Sequence, residues 1–297
     1  MDSAGRNFLG LVGISATLGA YPVCGFAVYV LVPLLSLSPG APAPIGPICL
    51  LPAILLTALI AASAGLAVKT LGFQASASRR LSRQVRALAL PTPPDLSSTA
   101  KAAGLDGRVT LLDSPEQSSF VYGMLVPRVA IDRGFLESLT AEELRATLEH
   151  ERYHVRHLDP LRAMLGKALT KAFFLLPSLE LLRLRYEAGR ELAADCRAER
   201  VGGRRALLSA LLKALEEPDR EPVAGVSLAN PDLLDARISR LETGKAPAPA
   251  PIDPQALLTS ALGACSFLLL FMAAVVGLGG TTALANMAAE IGNPLWL

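Results

Sequence analysis

The chain has 297 residues, 52% of them hydrophobic, 18% charged and 5% aromatic, with a net charge of +2. That is too apolar for an ordinary soluble domain, in which roughly a quarter of the residues are charged. It also offers neither the basic surface nor the stacking platforms of a nucleic-acid binder, so a direct nucleic-acid role is excluded.

No Asp, Glu, Lys or Arg occurs from Asn7 to Val68 or from Pro254 to Ala289, so nearly all the charge lies between Lys69 and Asp253. This pattern predicts a charged domain held between membrane anchors. A first span over about 8–35 is followed by the turn formers of Ser36–Pro44 and a second span over about 45–68. Each is longer than the roughly 20 residues that cross the hydrocarbon core. A cleaved signal peptide is the rival for the first, but its apolar region runs only roughly 7–15 residues. Lys69, Arg79, Arg80, Arg83 and Arg86 follow the second span with no acid between them, and Ser36–Pro44 has no basic residue. The charged domain is therefore expected on the cytoplasmic side. Arg79–Arg86 is expected to lie along the anionic inner leaflet, contacting membrane lipid, with a plain solvated face as the alternative.

Short β-branched runs separated by turn formers, at Val109–Asp113, Phe120–Gly123 and Arg128–Asp132, predict a small sheet. Thr140-Ala-Glu-Glu143 then reads as a capping box, so a helix is expected over about 141–158, ending before Pro160. With the helices predicted further on, this makes the fold class α+β and mainly α.

That helix carries His150-Glu151-Arg-Tyr-His154, the His-Glu-x-x-His pattern. Four residues of α-helix turn the chain by about 400°, which puts both imidazoles on one face within reach of a single Zn²⁺. Glu151 stands beside them, placed to take a proton from the attacking water and hand it to the leaving amine. The chain has only three histidines, so chance is a poor account of the pattern. A catalytic zinc takes three protein ligands. The remaining histidine, His157, has the wrong spacing for the third, which is expected to be a carboxylate.

The apolar stretch Met164–Leu182 tempts a further span, but its longest uncharged part, Ala172–Leu179, contains Pro177 and is too short to cross a bilayer. A helical hairpin is expected there, either dipping into the membrane at Phe173–Leu176 or packing on other helices. A helix over about 186–199 follows, with Glu191 and Asp195 four apart on one face. Glu187, one turn earlier, is a rival for the ligand position. Gly202-Gly203 reads as a helix terminator, before a helix near 206–215. Lys245–Pro251 is a stiff Ala-Pro linker into a third span over about 256–278, after which only a short tail remains. Of the four cysteines, Cys24, Cys49 and Cys265 lie in apolar runs and Cys196 in the charged domain, which suits packing roles.

The His-Glu-x-x-His helix, Asp159-Pro160 five positions beyond its second His, and the later Glu191-Leu-Ala-Ala-Asp195 together resemble the Glu-zincin membrane proteases. The BlaR/MecR-type antirepressor peptidases look nearest, because Phe120-Val-Tyr-Gly123 and Pro127-Arg-Val-Ala-Ile131 precede the helix. The HtpX and CAAX-prenyl-protease branch is the nearer alternative. The resemblance covers about 111–241. It implies a zincin-like domain inserted between transmembrane helices of the bacterial cytoplasmic membrane. It also implies His150, His154 and Glu191 as zinc ligands, Glu151 as base and Asp195 as a carboxylate holding a ligand histidine in its tautomer. The segment Asn230–Leu241 is similar to the family element whose polar residues stabilise the oxyanion, with Asn230 where the family has His. Arg237 or Asn230 is the candidate for that role, and a structural ion pair is the alternative for Arg237.

The implied activity is zinc-dependent cleavage of a protein substrate at the cytoplasmic face, in regulated signalling, with a cytoplasmic transcriptional repressor as the expected target. With only a short tail after the third span, no penicillin-binding sensor domain is expected. Quality control of damaged membrane proteins is the alternative within the same class. A non-cleaving, zinc-stabilised scaffold is the alternative outside it, and Glu151 argues against that one. The sequence does not specify an oligomeric state.

Overall fold

The computed structural model describes residues 3–26, 47–114, 118–215, 231–245 and 253–291. The helices are α1 (Ser3–Phe26), α2 (Pro47–Ala87), α3 (Pro94–Ala102), α4 (Arg133–Ser138), α5 (Ala141–Arg156), α6 (Asp159–Ala172), α7 (Pro177–Gly202), α8 (Arg204–Lys213), α9 (Pro231–Thr243) and α10 (Pro254–Ile291). The strands are β1 (Ala89–Leu90), β2 (Val109–Leu112), β3 (Ser119–Tyr122) and β4 (Arg128–Asp132). The fold is mainly helical α+β. The chain divides into two units, one of Met1–Leu9, Lys69–Lys167 and Leu182–Pro251, the other of Gly10–Val68, Ala168–Leu181 and Ile252–Leu297.

In the first unit the strands form one sheet in the order β1-β2-β4-β3. β2 and β4 run parallel, with Leu111 opposite Ile131, and β3 pairs antiparallel with β4, with Phe120 opposite Ala130. Alternation along the strands sorts their side chains onto two faces. Leu111, Val129 and Ile131 face Leu96 and Ala100 of α3 and Leu144, Leu148 and Val155 of α5. Leu112, Phe120, Tyr122 and Ala130 form a second cluster with Leu81 and Val85 of α2.

That second cluster takes in the Arg79–Arg86 stretch. The stretch is helix continuous with the apolar run, and Leu81 and Val85, one turn apart, are buried against the sheet while Arg79, Arg80, Arg83 and Arg86 are exposed. An apolar i, i+4 pair fastens this part of α2 to the sheet and leaves the arginines on the opposite, exposed face.

α5 is fixed at its start by the predicted capping box. Thr140 Oγ1 accepts from Glu143 N–H and Glu143 Oε2 accepts from Thr140 N–H. Lys213 Nζ of α8 sits 2.6 Å from the same Oε2 and donates to Ser138 O. Burial alone would raise the Glu143 pKa, but the Lys213, Ser209 and Thr140 hydrogen bonds outweigh it and lower it from 4.5 to about 2. Because the folded value lies below the unfolded one, this contribution to stability is fully present above about pH 4.5 and is lost as pH falls towards 2. Lys213→Ala is expected to lower stability by about 1–2 kcal/mol at pH 7. In thermal melts the gap to wild type should narrow below pH 4.5.

At the other end of α7, Gly202 abuts Ala146 of α5, and a Cβ at Gly202 would meet the Ala146 Cβ at 2.5 Å. Gly203 adopts φ +86, which turns the chain directly into α8. The Gly pair therefore ends the helix as predicted, and its first member also brings α7 against the helix that carries both histidines.

In the second unit, Ala53 and Leu56 of α2 pack with Ala274, Phe267, Leu270 and Phe271 of α10. Among the described residues two helical stretches, Leu51–Ala87 and Pro254–Gly277, are long and apolar enough to cross a membrane, and 11% of each apolar window is buried. Such sparing burial is unlike the core helix of a soluble protein. α1 covers the first predicted span, about 8–35, as far as Phe26; the later part of that span and the Ser36–Pro44 turn lie outside the described residues, as does most of the Ala-Pro linker. Within Met164–Leu182 the chain turns between α6, which ends at Ala172, and α7, which Pro177 opens. This segment packs on other helices: Ser178 N–H donates to Ser260 Oγ of α10, and Gly263 admits the Leu175 carbonyl where a Cβ would stand 2.2 Å from its oxygen.

Candidate metal centre

α5 places His150 and His154 one turn apart, and their Nε2 atoms lie 3.1 Å from each other. α7 brings in Glu191, whose Oε2 is 3.5 Å from His150 Nε2 and 3.7 Å from His154 Nε2. Donor atoms about 2.0–2.1 Å from one tetrahedral Zn²⁺ are about 3.3 Å apart. The three observed separations bracket that edge. The chemistry of the set fits as well, since two imidazoles and one carboxylate are donors that zinc accepts.

Each imidazole is oriented from behind. Asp159 Oδ2 lies 2.6 Å from His154 Nδ1, and Asp195 Oδ1 lies 2.9 Å from His150 Nδ1, the latter contact bent away from a straight hydrogen bond. A carboxylate at Nδ1 keeps the proton there and leaves Nε2 as the lone-pair nitrogen. Asp195 is itself fully buried and gripped by Arg237, whose Nε and Nη2 each donate to it at 2.8 Å. Arg190 Nε donates to Glu191 Oε1 at 3.2 Å, which leaves Oε2 to face the imidazoles.

Burial works against charge here, yet the groups charge one another. It would lower the His154 pKa, but the Glu191 charge and the hydrogen bond to Asp159 outweigh it and raise the value to about 10. His150 is also raised, with burial opposed by its contacts to Asp195 and Glu191. Burial would raise Glu191, and the two histidines with Arg190 hold it well below the usual carboxylate range. Asp195 falls to about 2, burial being outweighed by the charge of Arg237 and the contact with His150. The site thus demands positive charge at its centre, supplied either by protons on the imidazoles or by a cation. Zinc binding near pH 7 is expected to release at least about one proton per ion. Calorimetry in buffers of differing ionisation enthalpy reads this directly, and uptake without proton release would contradict it.

The remaining sequence-predicted residues fall as follows. Glu151 is not one of the three converging donors; it lines the same cleft, and its Oε1 accepts from Ser119 Oγ of β3 at 2.8 Å. Glu187 is turned to Arg183 and stays out of the triangle. His157 also stays out, with Nδ1 2.7 Å from Tyr153 O and its ring against that of Tyr153. Arg237 makes the structural ion pair with Asp195, and its Nη1 lies 3.6 Å from Glu191 Oε2. Asn230 lies outside the described residues.

Sequence reasoning missed the roles of four residues: Ser119 on Glu151, Arg190 on Glu191, Asp159 on His154, and Tyr186, whose hydroxyl donates to Asp159 Oδ1 at 3.2 Å. Asp159 was visible only as a spacing. It reaches back to His154 because Leu158, with φ +53, reverses the chain between α5 and α6.

The donors open onto a cleft whose lining includes Ser119, Val121, Met124, Leu207, Leu211 and Ala214. Among the described residues β3 is an edge strand of the sheet. Ser118 O accepts from Asp132 N–H, so by antiparallel alternation Phe120 and Tyr122 turn their amides to β4, and Ser119 and Val121 turn theirs outward.

A family model described as BlaR1 peptidase M56 matches residues 49–241, more than half of the 297-residue chain, and spans every donor described above. No solved structure matches the chain.

Proposed function

The chain belongs to the BlaR1 peptidase M56 family, and from that premise we propose that it is a zinc-dependent endopeptidase of the bacterial cytoplasmic membrane. Peptidase activity and a membrane location follow from the family and from the two apolar helices. The observation that carries the finer reading is the triangle of His150 Nε2, His154 Nε2 and Glu191 Oε2, with edges of 3.1, 3.5 and 3.7 Å. In this reading those residues hold the ion, and zinc, when bound, supplies Lewis acidity towards water and the scissile carbonyl.

The chain's own residues do the rest. Ser119 holds one oxygen of Glu151 and leaves the other to receive the proton of the attacking water and pass it to the leaving amine. Asp159 and Asp195 keep the Nε2 atoms of both imidazoles directed inwards. Arg237 is bound to Asp195 through Nε and Nη2, so Nη1 is the donor it would offer an oxyanion. A substrate segment adds as a further strand to β3, where the outward amides of Ser119 and Val121 fix its backbone. The zincin-like fold, the insertion between membrane helices and the cytoplasmic orientation belong to the same reading, supported by the basic residues from Lys69 to Arg86. Regulated cleavage of a cytoplasmic repressor is preferred to general turnover of membrane proteins, because the matching family is that of the BlaR1 peptidase.

The test is elemental analysis of the full chain purified in detergent, paired with proteome-wide profiling of cleaved substrates. About one zinc per chain and one or a few soluble substrates support the reading. Absence of zinc after reloading rejects the metal assignment, and cleavage of many membrane proteins rejects the signalling role.

A further inference from the structure

Behind His154 a chain of contacts runs to the beginning of the polypeptide. His154 Nδ1 meets Asp159 Oδ2 at 2.6 Å, Asp159 Oδ1 accepts from the Tyr186 hydroxyl at 3.2 Å, and the Tyr186 ring lies 5.1 Å from that of Phe8. Asp159 and Tyr186 are 3% and 1% exposed, so water does not offer them alternative partners. Phe8 is held in turn by Arg162 of α6, whose guanidinium lies 5.3 Å over its ring. One turn before Phe8, the buried Ala4 packs on Gly189, where a Cβ would meet it at 3.5 Å. Ala4 and Phe8 share one face of α1, and Tyr186 and Gly189 share one face of α7. The two helices therefore meet along a seam that starts one turn before the ligand Glu191.

We infer that Phe8 and Tyr186 are positioning residues of the metal centre: Phe8 fixes the Tyr186 ring, the Tyr186 hydroxyl fixes Asp159, and Asp159 fixes the His154 imidazole. The role in metal binding rests on the zinc reading above. Neither residue touches the ion or the substrate. α1 carries no charged side chain after Arg6, so this seam is where an apolar helix acts on the metal site.

The test uses the full chain in detergent with two readouts. The first is zinc affinity, measured by titrating Zn²⁺ against a chelating indicator. Tyr186→Phe keeps the ring and removes only the hydroxyl, and is expected to weaken affinity about tenfold, the low end for outer-shell partners of a metal ligand. Phe8→Ala should weaken it to a similar extent, Phe8→Leu should restore most of the loss, and the double variant should be no worse than the weaker single one. The second readout is the Nδ1–H proton resonance of His154 in metal-free protein, readable because there are only three histidines. It should move in both single variants while that of His150 stays in place. Wild-type zinc affinity in Tyr186→Phe or Phe8→Ala, or independent additive losses in the double variant, would overturn the inference. A wild type that takes up no zinc rejects the metal reading alone; the positioning chain then stands if the His154 resonance moves and falls if it does not.

Discussion

Glu151→Gln is expected to keep its metal and lose peptide hydrolysis by about 10²–10⁴-fold, the usual contribution of a positioned acid–base group. The amide has almost the shape of the carboxylate, and its oxygen can still accept from Ser119 Oγ, so the α5–β3 contact survives. What disappears is the ability to take up a proton. Glu151 is not one of the three converging donors, so zinc content should stay at the wild-type level. Elemental analysis and cleavage of a protein substrate on one preparation separate these two effects. Equal activity in variant and wild type would remove Glu151 from the mechanism, and loss of zinc would make it a ligand.

Glu191→Ala is expected to abolish stable zinc binding, because it removes one of three ligands and the only anionic one. Its effect on folding has to be measured alongside. Glu191 also receives Arg190 and faces Arg237, both about 5% exposed, so truncation strands buried positive charge. Breaking such a pair costs about 3–5 kcal/mol. Glu191→Gln keeps the volume and the hydrogen bond from Arg190 and loses only the charge. Zinc lost in both variants, with thermal unfolding preserved in the Gln form, assigns the loss to ligation. Zinc retained in both would leave the His pair without its third partner and reject the ligand set.

What the sequence disclosed about this site is what lies within one helix. His150, Glu151 and His154 share a face because the helical period puts them there, and Thr140–Glu143 marks the start of that helix through a contact of three residues' range. Glu191 and Asp195 were legible for the same reason, one turn apart on α7. Contacts between elements were not. Ser119 meets Glu151 from a strand 32 residues earlier, and Tyr186 meets Asp159 from 27 residues later, with no periodic pattern joining either pair. β1 escaped notice because two residues carry no alternation to read. The run past Val68 was legible as helix only in its apolar part, since the alternation of Arg79–Arg86 with buried Leu81 and Val85 has meaning only once the sheet stands opposite.

In the proposed reading, where a substrate adds to β3, the edge position of that strand sets a condition on what is cut. A chain that pairs with the outward amides of Ser119 and Val121 must lie extended over several residues, and a helix or a packed loop cannot do so without first coming undone. The rate at which a folded target is cleaved then follows how often its scissile segment opens, as long as opening and closing are fast compared with cutting. Two proteins with the same residues around the cut would differ in lifetime according to local stability. The enzyme would read the looseness of its target before it read the sequence.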